Sequence, residues 1–402
     1  MVTVEQAEKW ILSEAKDFGT EIIPFENALG RILAEDIKAD RDLPPFNRVT
    51  MDGIAIRYAA VEQGIQSFKI KATQAAGDIP VDIDQAAECV EIMTGASLSA
   101  SVDTIIPYEH IAVQNSTATI TTTGLKKGQN LHLRGTDKKQ GDVVAVKQQL
   151  ITPALIGIVA SVGKVELLVQ KLPRIVIISS GDELVNVNET PSPIQIRKSN
   201  SYTIKAVLRQ YGLEGDLLHI PDDPEVTEEK LNFCTANYEV ILMTGGVSMG
   251  KFDYIPKALD KIGVKTIFYK VSQRPGKPFW FGKHDNGMLV FAFPGNPVAT
   301  FMCLHRYFLP WLNAGQGVNQ KPAVYAVLGQ DFAFKPDLQY FLQVKLRFSD
   351  KGQIIAEVIE GNGSGDFANL ADTDAFIELP KGREEFKKGE VYRIWPFKQL
   401  IA

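Results

Sequence analysis

The residues best suited to chemistry lie where apolar runs stop. Positions 174–183 read RIVIISSGDE, 217–223 read LLHIPDD and 240–253 read VILMTGGVSMGKFD. Asp182, Glu183, Asp222, Asp223 and Asp253 therefore each sit just past a strand-like segment. Hard carboxylates, waters and ligand phosphates together make a Mg2+ environment, which these five acids would supply as a group. Taken singly, any of these acids could equally cap a helix or face solvent. Downstream, Lys270, Arg274 and Lys277 run into the string QRPGK and suit an extended phosphate or pyrophosphate, although a solvated basic face would look the same. The combination points to a Mg2+-assisted site for a phosphorylated ligand.

The elements that position these residues follow from their periodicity. Between 173 and 314 apolar runs alternate with helical windows at 201–211, 224–236, 253–261 and 297–312, the pattern of a parallel, doubly wound α/β sheet. In such a sheet the loops at the strands' carboxyl ends share one edge, where ligands bind. Gly212 is placed to end the first window. Asn296 and Pro297 fit the N-cap and first position of the last. Gly245–Lys251, GGVSMGK, matches a phosphate-binding loop until Phe252 stands where a hydroxyl should meet Mg2+, which excludes a true P-loop nucleotidase. The loop can still offer N–H groups to an anion. No GxGxxG fingerprint is present, which argues against a dinucleotide-dependent dehydrogenase.

Flanking this unit, residues 1–165 read as an opening helix at 3–16, capped by Thr3 with Gln6, and a β-rich lobe at about 45–146 stacked on that helix. Within the lobe, 89–93, 104–107, 111–123 and 143–146 read as strands, and 154–162 as a helix leading out of it. After 322, the runs at 340–347, 353–359, 375–379 and 391–396 alternate or are β-branched, giving a small β domain to 402. The expected fold is thus multidomain: an N-terminal region at 1–165, a doubly wound α/β domain at 172–314 and a small β domain at 322–402. A chain of 402 residues is long enough for several cores. Its net charge of −5 gives no global attraction to nucleic acid. Neither a leader-like N-terminus nor a membrane-length apolar run is read, so a cytoplasmic location is expected. Cys89, Cys234 and Cys303 are widely spaced, so neither a disulfide framework nor a zinc cluster is indicated.

Seven strings in series, PPFNRVTMDG, MTGA, RGTD, SSGDEL, TGGVSMGKFDY, RPGKP and FPGNPV, closely resemble the molybdopterin molybdenumtransferase family, the MoeA proteins and the E domain of gephyrin. The resemblance runs nearly end to end. It implies a helical dimerising segment, an inserted β lobe, a molybdopterin-binding α/β domain and a C-terminal β-barrel. It also implies Mg2+-dependent insertion of molybdate into adenylyl-molybdopterin with release of AMP. The family is homodimeric, the partner's lobe completes each site, and handover contacts with molybdopterin adenylyltransferase or molybdoenzyme chaperones are expected. Carried over by position, Asp253, Asp222, Glu183, Lys270 and Arg274 would be catalytic. Asp52, Thr94, Arg134, Asp137, Ser180, Gly181, Gly245, Gly246, Ser248, Lys277, Pro294, Asn296 and Ser364 would bind substrate. Val49, Ile54, Arg274 and Gln343 depart from common family residues, Gln343 standing where some relatives have a functional arginine. A non-catalytic scaffold and an adenylyltransferase are the competing readings. The first lacks an extra N-terminal domain and linker here; the second needs only the α/β unit.

Overall fold

The computed structural model describes residues 1–246, 255–318, 322–359 and 367–398. At its centre is a six-stranded sheet of β1 (Ile175–Ser180), β2 (Gly215–Ile220), β3 (Val240–Thr244), β4 (Val264–Tyr269), β5 (Trp280–His284) and β6 (Leu289–Phe293), in the order β2-β1-β3-β6-β5-β4. The inner runs at 175–178, 240–243 and Leu289–Phe293 are continuously apolar because both sheet faces are covered there. Ile175 and Ile177, Val240 and Leu242, and Leu289, Phe291 and Phe293 feed one core, while Val176, Ile178, Ile241, Met243, Val290 and Ala292 feed the other. The sheet departs from the all-parallel expectation at β5, which runs antiparallel to both β4 and β6. A short turn through Gly287 joins β5 to β6, leaving no crossover helix to reverse the chain direction.

Helices Asn200–Gln210 and Pro224–Asn237 fall within a residue of the windows read from sequence. Gly212, at φ 69°, ends the first, with Leu213 N–H bonded to Leu208 O. The 297–312 window is one continuous rod in three parts: α-helix Pro297–Cys303, a wider π turn at Leu304–Phe308, and α-helix Leu309–Gly315. Pro310 has no N–H to donate to the carbonyl four residues back, and the wider turn just upstream accommodates that gap.

The opening helix, Val4–Ser13, has the expected box: Thr3 Oγ1 accepts from Gln6 N–H at 3.2 Å and Gln6 Oε1 accepts from Thr3 N–H at 3.0 Å. It is not stacked on the β lobe. Its buried Val4, Ala7 and Ile11 join the core on one face of the central sheet, with Glu14 bonded to Lys283 Nζ at 2.6 Å. The lobe supplies its own two cores instead. Ala55, Val90, Ile92 and Ile105 line one face of its six-stranded sheet, and Ile54, Ile56, Phe68 and Ile106 the other.

In that lobe the run expected as one strand at 111–123 is a hairpin of Ile111–Gln114 and Thr117–Ile120. Asn115 and Ser116 take φ of 47° and 57°, the left-handed pair that a two-residue turn of this hand requires. Helix Pro153–Ser161 packs on a ribbon formed by Thr20–Pro24 and Glu166–Gln170.

The C-terminal strands Gln339–Phe348, Ile354–Val358, Val324–Leu328, Val391–Pro396 and Ala375–Leu379 pair in a closed ring, a five-stranded barrel. Val324–Leu328, too short and too close to Pro322 to register as a sequence signal, is the strand that closes it. Among the described residues no helix is long and apolar enough to cross a membrane.

Candidate functional site

The strand order reverses between β1 and β3, and there the carboxyl ends open into a cavity of about 330 Å³. Register sets its rim: Ser179 pairs with Thr244, and Thr244 with Phe293, so the residues just beyond all three strands emerge at one level. Ser180, Glu183, Thr244, Gly245, Asn296 and Pro297 line it. The Ser180 hydroxyl is buried and, among the described residues, has no hydrogen-bond partner. Below it Gly245 and Gly246 turn at φ 87° and 67°; a Cβ on Gly246 would lie 2.6 Å from Ser180 Oγ. Gly181 is equally constrained. At φ 122°, it leaves room for the Glu183 carboxylate, whose Oε2 lies 2.2 Å from where a Cβ would stand. Pro294 O accepts from the Thr300 hydroxyl at 2.5 Å, which pins the turn ahead of the 297–303 helix.

Of the expected acids, Asp182 and Asp222 come together: Asp182 Oδ1 accepts from Asp222 N–H at 3.1 Å. Asp223 has the structural role weighed for a single aspartate, since its Oδ1 accepts from Glu225 and Val226 N–H, both at 2.9 Å, as the cap of helix Pro224–Asn237. Among the described residues no three His, Cys, Asp or Glu side chains converge as a metal cage. Asp253, Ser248 and Ser364 lie outside the described residues.

The three expected cations do not line this cavity. Lys270 ends β4 at φ 68° with Nζ 4.8 Å from the Tyr269 ring. Lys270 N–H bonds Phe279 O and Val271 N–H bonds Lys277 O, which closes the loop that carries all three. Gln273–Arg274 leaves the α/β unit to pair with Gln339–Tyr340 of the barrel. The Arg274 guanidinium lies 5.8 and 5.9 Å from the Phe334 and Tyr340 rings. Gln343 is buried in the barrel, donating to Thr373 Oγ1 at 3.2 Å.

Cationic wall residues come from a segment the sequence reading passed over. Arg197 and Lys198 line the cavity together with Ser199, Asn200 and Ser201 at the start of helix Asn200–Gln210. The string RKSN, two cations before a Ser-Asn helix start, was the available signal. Asn200 Nδ2 donates to Gly295 O at 2.7 Å and ties this helix start to the β6 loop. His219 lies nearby on β2, and its pKa is lowered, chiefly by burial and then by the Lys198 charge.

The remaining expected residues sit in the N-terminal region and form pairs of their own. Asp52 Oδ1 accepts the Thr94 N–H and hydroxyl, both at 2.6 Å, and these bonds lower its pKa. Asp137 Oδ1 lies 2.8 Å from His132 Nε2, while His132 Nδ1 lies 3.1 Å from Arg48 Nη2. Arginine can only donate, so Nδ1 accepts and Nε2–H donates to Asp137. Arg134 Nε donates to Asp42 Oδ2 at 2.7 Å. None of Asp52, Thr94, Arg134 or Asp137 lines the cavity.

Comparison with known proteins covers the whole chain. Residues 2–163 match the MoeA N-terminal region (domain I and II), 176–314 a probable molybdopterin binding domain, and 325–397 the MoeA C-terminal region (domain IV). The molybdopterin molybdenumtransferase of Synechocystis sp. is 37% identical over 395 residues, covering 98% of this chain and 99% of that one. The protein of the same name from Haemophilus influenzae is 30% identical over 408 residues and all of both chains. A crystal structure of the molybdopterin biosynthesis moeA protein from Pyrococcus horikoshii OT3 superposes with a TM-score of 0.81 at 25% identity, covering 99% of this chain and 100% of that one. With its central α/β sheet, β-rich lobe and closed barrel, the chain belongs to the molybdopterin molybdenumtransferase (MoeA) family.

Proposed function

We propose that this enzyme transfers molybdenum from molybdate to adenylyl-molybdopterin in a Mg2+-dependent reaction that releases AMP and forms the molybdenum cofactor. The observation that carries this reading is the polar cavity at the switch point of an α/β domain whose family model is a molybdopterin-binding one. The relatives named molybdopterin molybdenumtransferase match over the full chain, flanking regions included. An adenylyltransferase would need only the α/β unit.

In this reading Ser180, Gly181, Gly245, Gly246, Pro294 and Asn296 shape the pterin seat. Lys270, Arg274 and Lys277 hold pyrophosphate or molybdate oxygens from the loop that joins the barrel. Glu183 and Asp222, with Asp182 and Asp253, are the Mg2+ ligands. Mg2+ takes one or two protein carboxylates and fills its octahedron with water and substrate phosphates, so the exposed Asp182, Glu183 and Asp222 are a sufficient donor set without a closed cage. Bound there, the ion would offset negative charge on the phosphate oxygens. The protein's own task is to orient the phosphoanhydride and the dithiolene against molybdate.

Asp52, Thr94, Arg134, Asp137 and Ser364 enter this reading as substrate-binding residues, the first four from a second copy of the chain. Two observations support a homodimer with shared sites. Asp52, Thr94 and Asp137 are held in defined pairs away from their own chain's cavity. Ile22, Leu29 and Val165 are largely exposed on and beside the N-terminal ribbon, an apolar surface suited to a second copy. Handover of pterin from an adenylyltransferase and of product to molybdoenzyme chaperones completes the proposal.

The test is to incubate the purified chain with adenylyl-molybdopterin, Mg2+ and molybdate, then measure molybdenum bound to the released pterin by mass spectrometry. Molybdenum-loaded pterin supports the reading. Pterin held tightly but never loaded overturns it.

A further inference from the structure

We infer that Arg197, Lys198 and the first turn of helix Asn200–Gln210 form a subsite for a tetrahedral oxyanion, either a phosphoryl group of the pterin substrate or molybdate, inside the switch-point cavity. The inference deepens the functional reading above and rests on it.

Four observations converge. The helix is 11 residues long, its N-cap, Ser199, makes no side-chain cap bond, and among the described residues no side chain caps its first turn where Ser199, Asn200 and Ser201 line the cavity. Such a terminus carries partial positive charge and open donors. Arg197 and Lys198 flank it, and among the described residues neither meets a carboxylate: Arg197 Nε bonds only Glu189 O at 3.1 Å, and Lys198 Nζ bonds Asn186 Oδ1 at 3.0 Å. Ser180 lines the same cavity; it is 6% exposed and, among the described residues, its hydroxyl has no partner. A buried hydroxyl without a partner is a net cost that a bound acceptor oxygen removes. Glu183 also lines the cavity, so two cations share it with one carboxylate, and the helix terminus adds to the positive side.

The neutral acceptors now held by Arg197 and Lys198 are weaker partners than an oxyanion. A doubly charged ligand therefore draws both side chains inward without breaking an ion pair. The expected loops Lys270–Lys277 and this segment then hold different parts of one extended anionic ligand. Lys270, Arg274 and Lys277 serve from the barrel side, and Arg197 and Lys198 from the helix side.

Calorimetry with the full chain tests this, using inorganic phosphate and molybdate as separate probes. Arg197→Ala and Lys198→Ala should each weaken binding about tenfold, the double variant should show no binding, and Ser180→Ala should lose about fivefold. Melting temperatures should stay near that of the unaltered protein, because Arg197 is exposed and Lys198 half-buried. Kinetics then separate the two sources. If the subsite takes a phosphoryl group of the pterin substrate, the double variant raises the KM for that substrate with kcat little changed. If it takes molybdate, the molybdate requirement rises and the pterin KM stays. Unaltered protein that binds neither probe, or a double variant that binds as well as the original, overturns the inference. Because probe binding is read without turnover, a failed insertase reading and a failed subsite give different results.

Discussion

Asp52 and Thr94 are joined twice: one carboxylate oxygen, Oδ1, accepts both the Thr94 main-chain N–H and its hydroxyl at 2.6 Å. Asp52 opens the strand Gly53–Ile56 and Thr94 follows the neighbouring strand Glu88–Ile92, so the pair closes one end of the lobe's sheet. The two bonds hold the carboxylate below its ordinary value of 3.8. Between the folded value and 3.8 the unfolded chain binds more protons than the folded one. The pair's contribution to stability is therefore present above 3.8 and is lost as pH falls through the folded value. In Thr94→Val, which removes the hydroxyl bond, Asp52 should titrate closer to 3.8 by NMR; an unchanged titration would contradict the assignment.

Shared sites make a sharper prediction for the same pair. Thr94→Ala and Glu183→Gln should each be nearly inactive, one through the lobe and the other through the cavity. Equal mixing after subunit exchange should restore about a quarter of the original activity, since half the dimers are mixed and each has one intact site. If the lobe serves its own chain's cavity, mixing restores nothing.

Gly181→Ala should cost at least tenfold in turnover with the fold intact. The new methyl would lie 2.2 Å from Glu183 Oε2 at φ 122°, and the flexible carboxylate is what must move. Full turnover with an unchanged circular dichroism spectrum would show that the position of Glu183 is immaterial.

Arg306 ties three parts of the molecule. It is 2% exposed, donates to Glu8 of the opening helix at 2.8 Å, lies 3.7 Å from Glu378 of the barrel and stacks 4.5 Å from the Trp395 ring. Arg306→Leu strands two partly buried carboxylates and should destabilise the chain by about 3–5 kcal/mol in urea unfolding. A loss under about 1 kcal/mol would mean that the hub is not a structural joint.

Burial pushes the Cys89 thiol up to about 12 and Cys234 up to about 11, and raises Cys303 further. All three are buried. At pH 8 a thiol reagent should find no reactive cysteine in the folded chain and all three after denaturation. Rapid labelling of the folded chain would contradict this burial.

The central sheet was legible because 175–178, 240–243 and Leu289–Phe293 are apolar without interruption, which a strand covered on both faces sustains. The rim residues Ser180, Glu183, Gly245 and Asn296 were legible for the same reason, since each follows directly from where a strand must stop. Val4, Ala7 and Ile11 showed that the first helix had an apolar face, but periodicity does not name the surface that face meets. Arg274 carried a charge in the sequence and no indication that its two-residue strand would join the barrel. Arg197 and Lys198 reach the cavity through a loop that brings Ile196–Arg197 back to pair with Leu184–Val185, and such a return leaves no periodic trace. The barrel likewise closes through pairings between strands far apart in sequence, Val324–Leu328 with Val391–Pro396 among them.

The most direct measurement is AMP release from adenylyl-molybdopterin by the purified chain with Mg2+, with and without molybdate, beside Asp253→Ala. Molybdate-dependent release that yields molybdenum-loaded pterin, and is lost in the variant, is the predicted result. Pterin binding with no AMP release under either condition would contradict the transferase account, and undiminished release by Asp253→Ala would contradict the role given to that carboxylate.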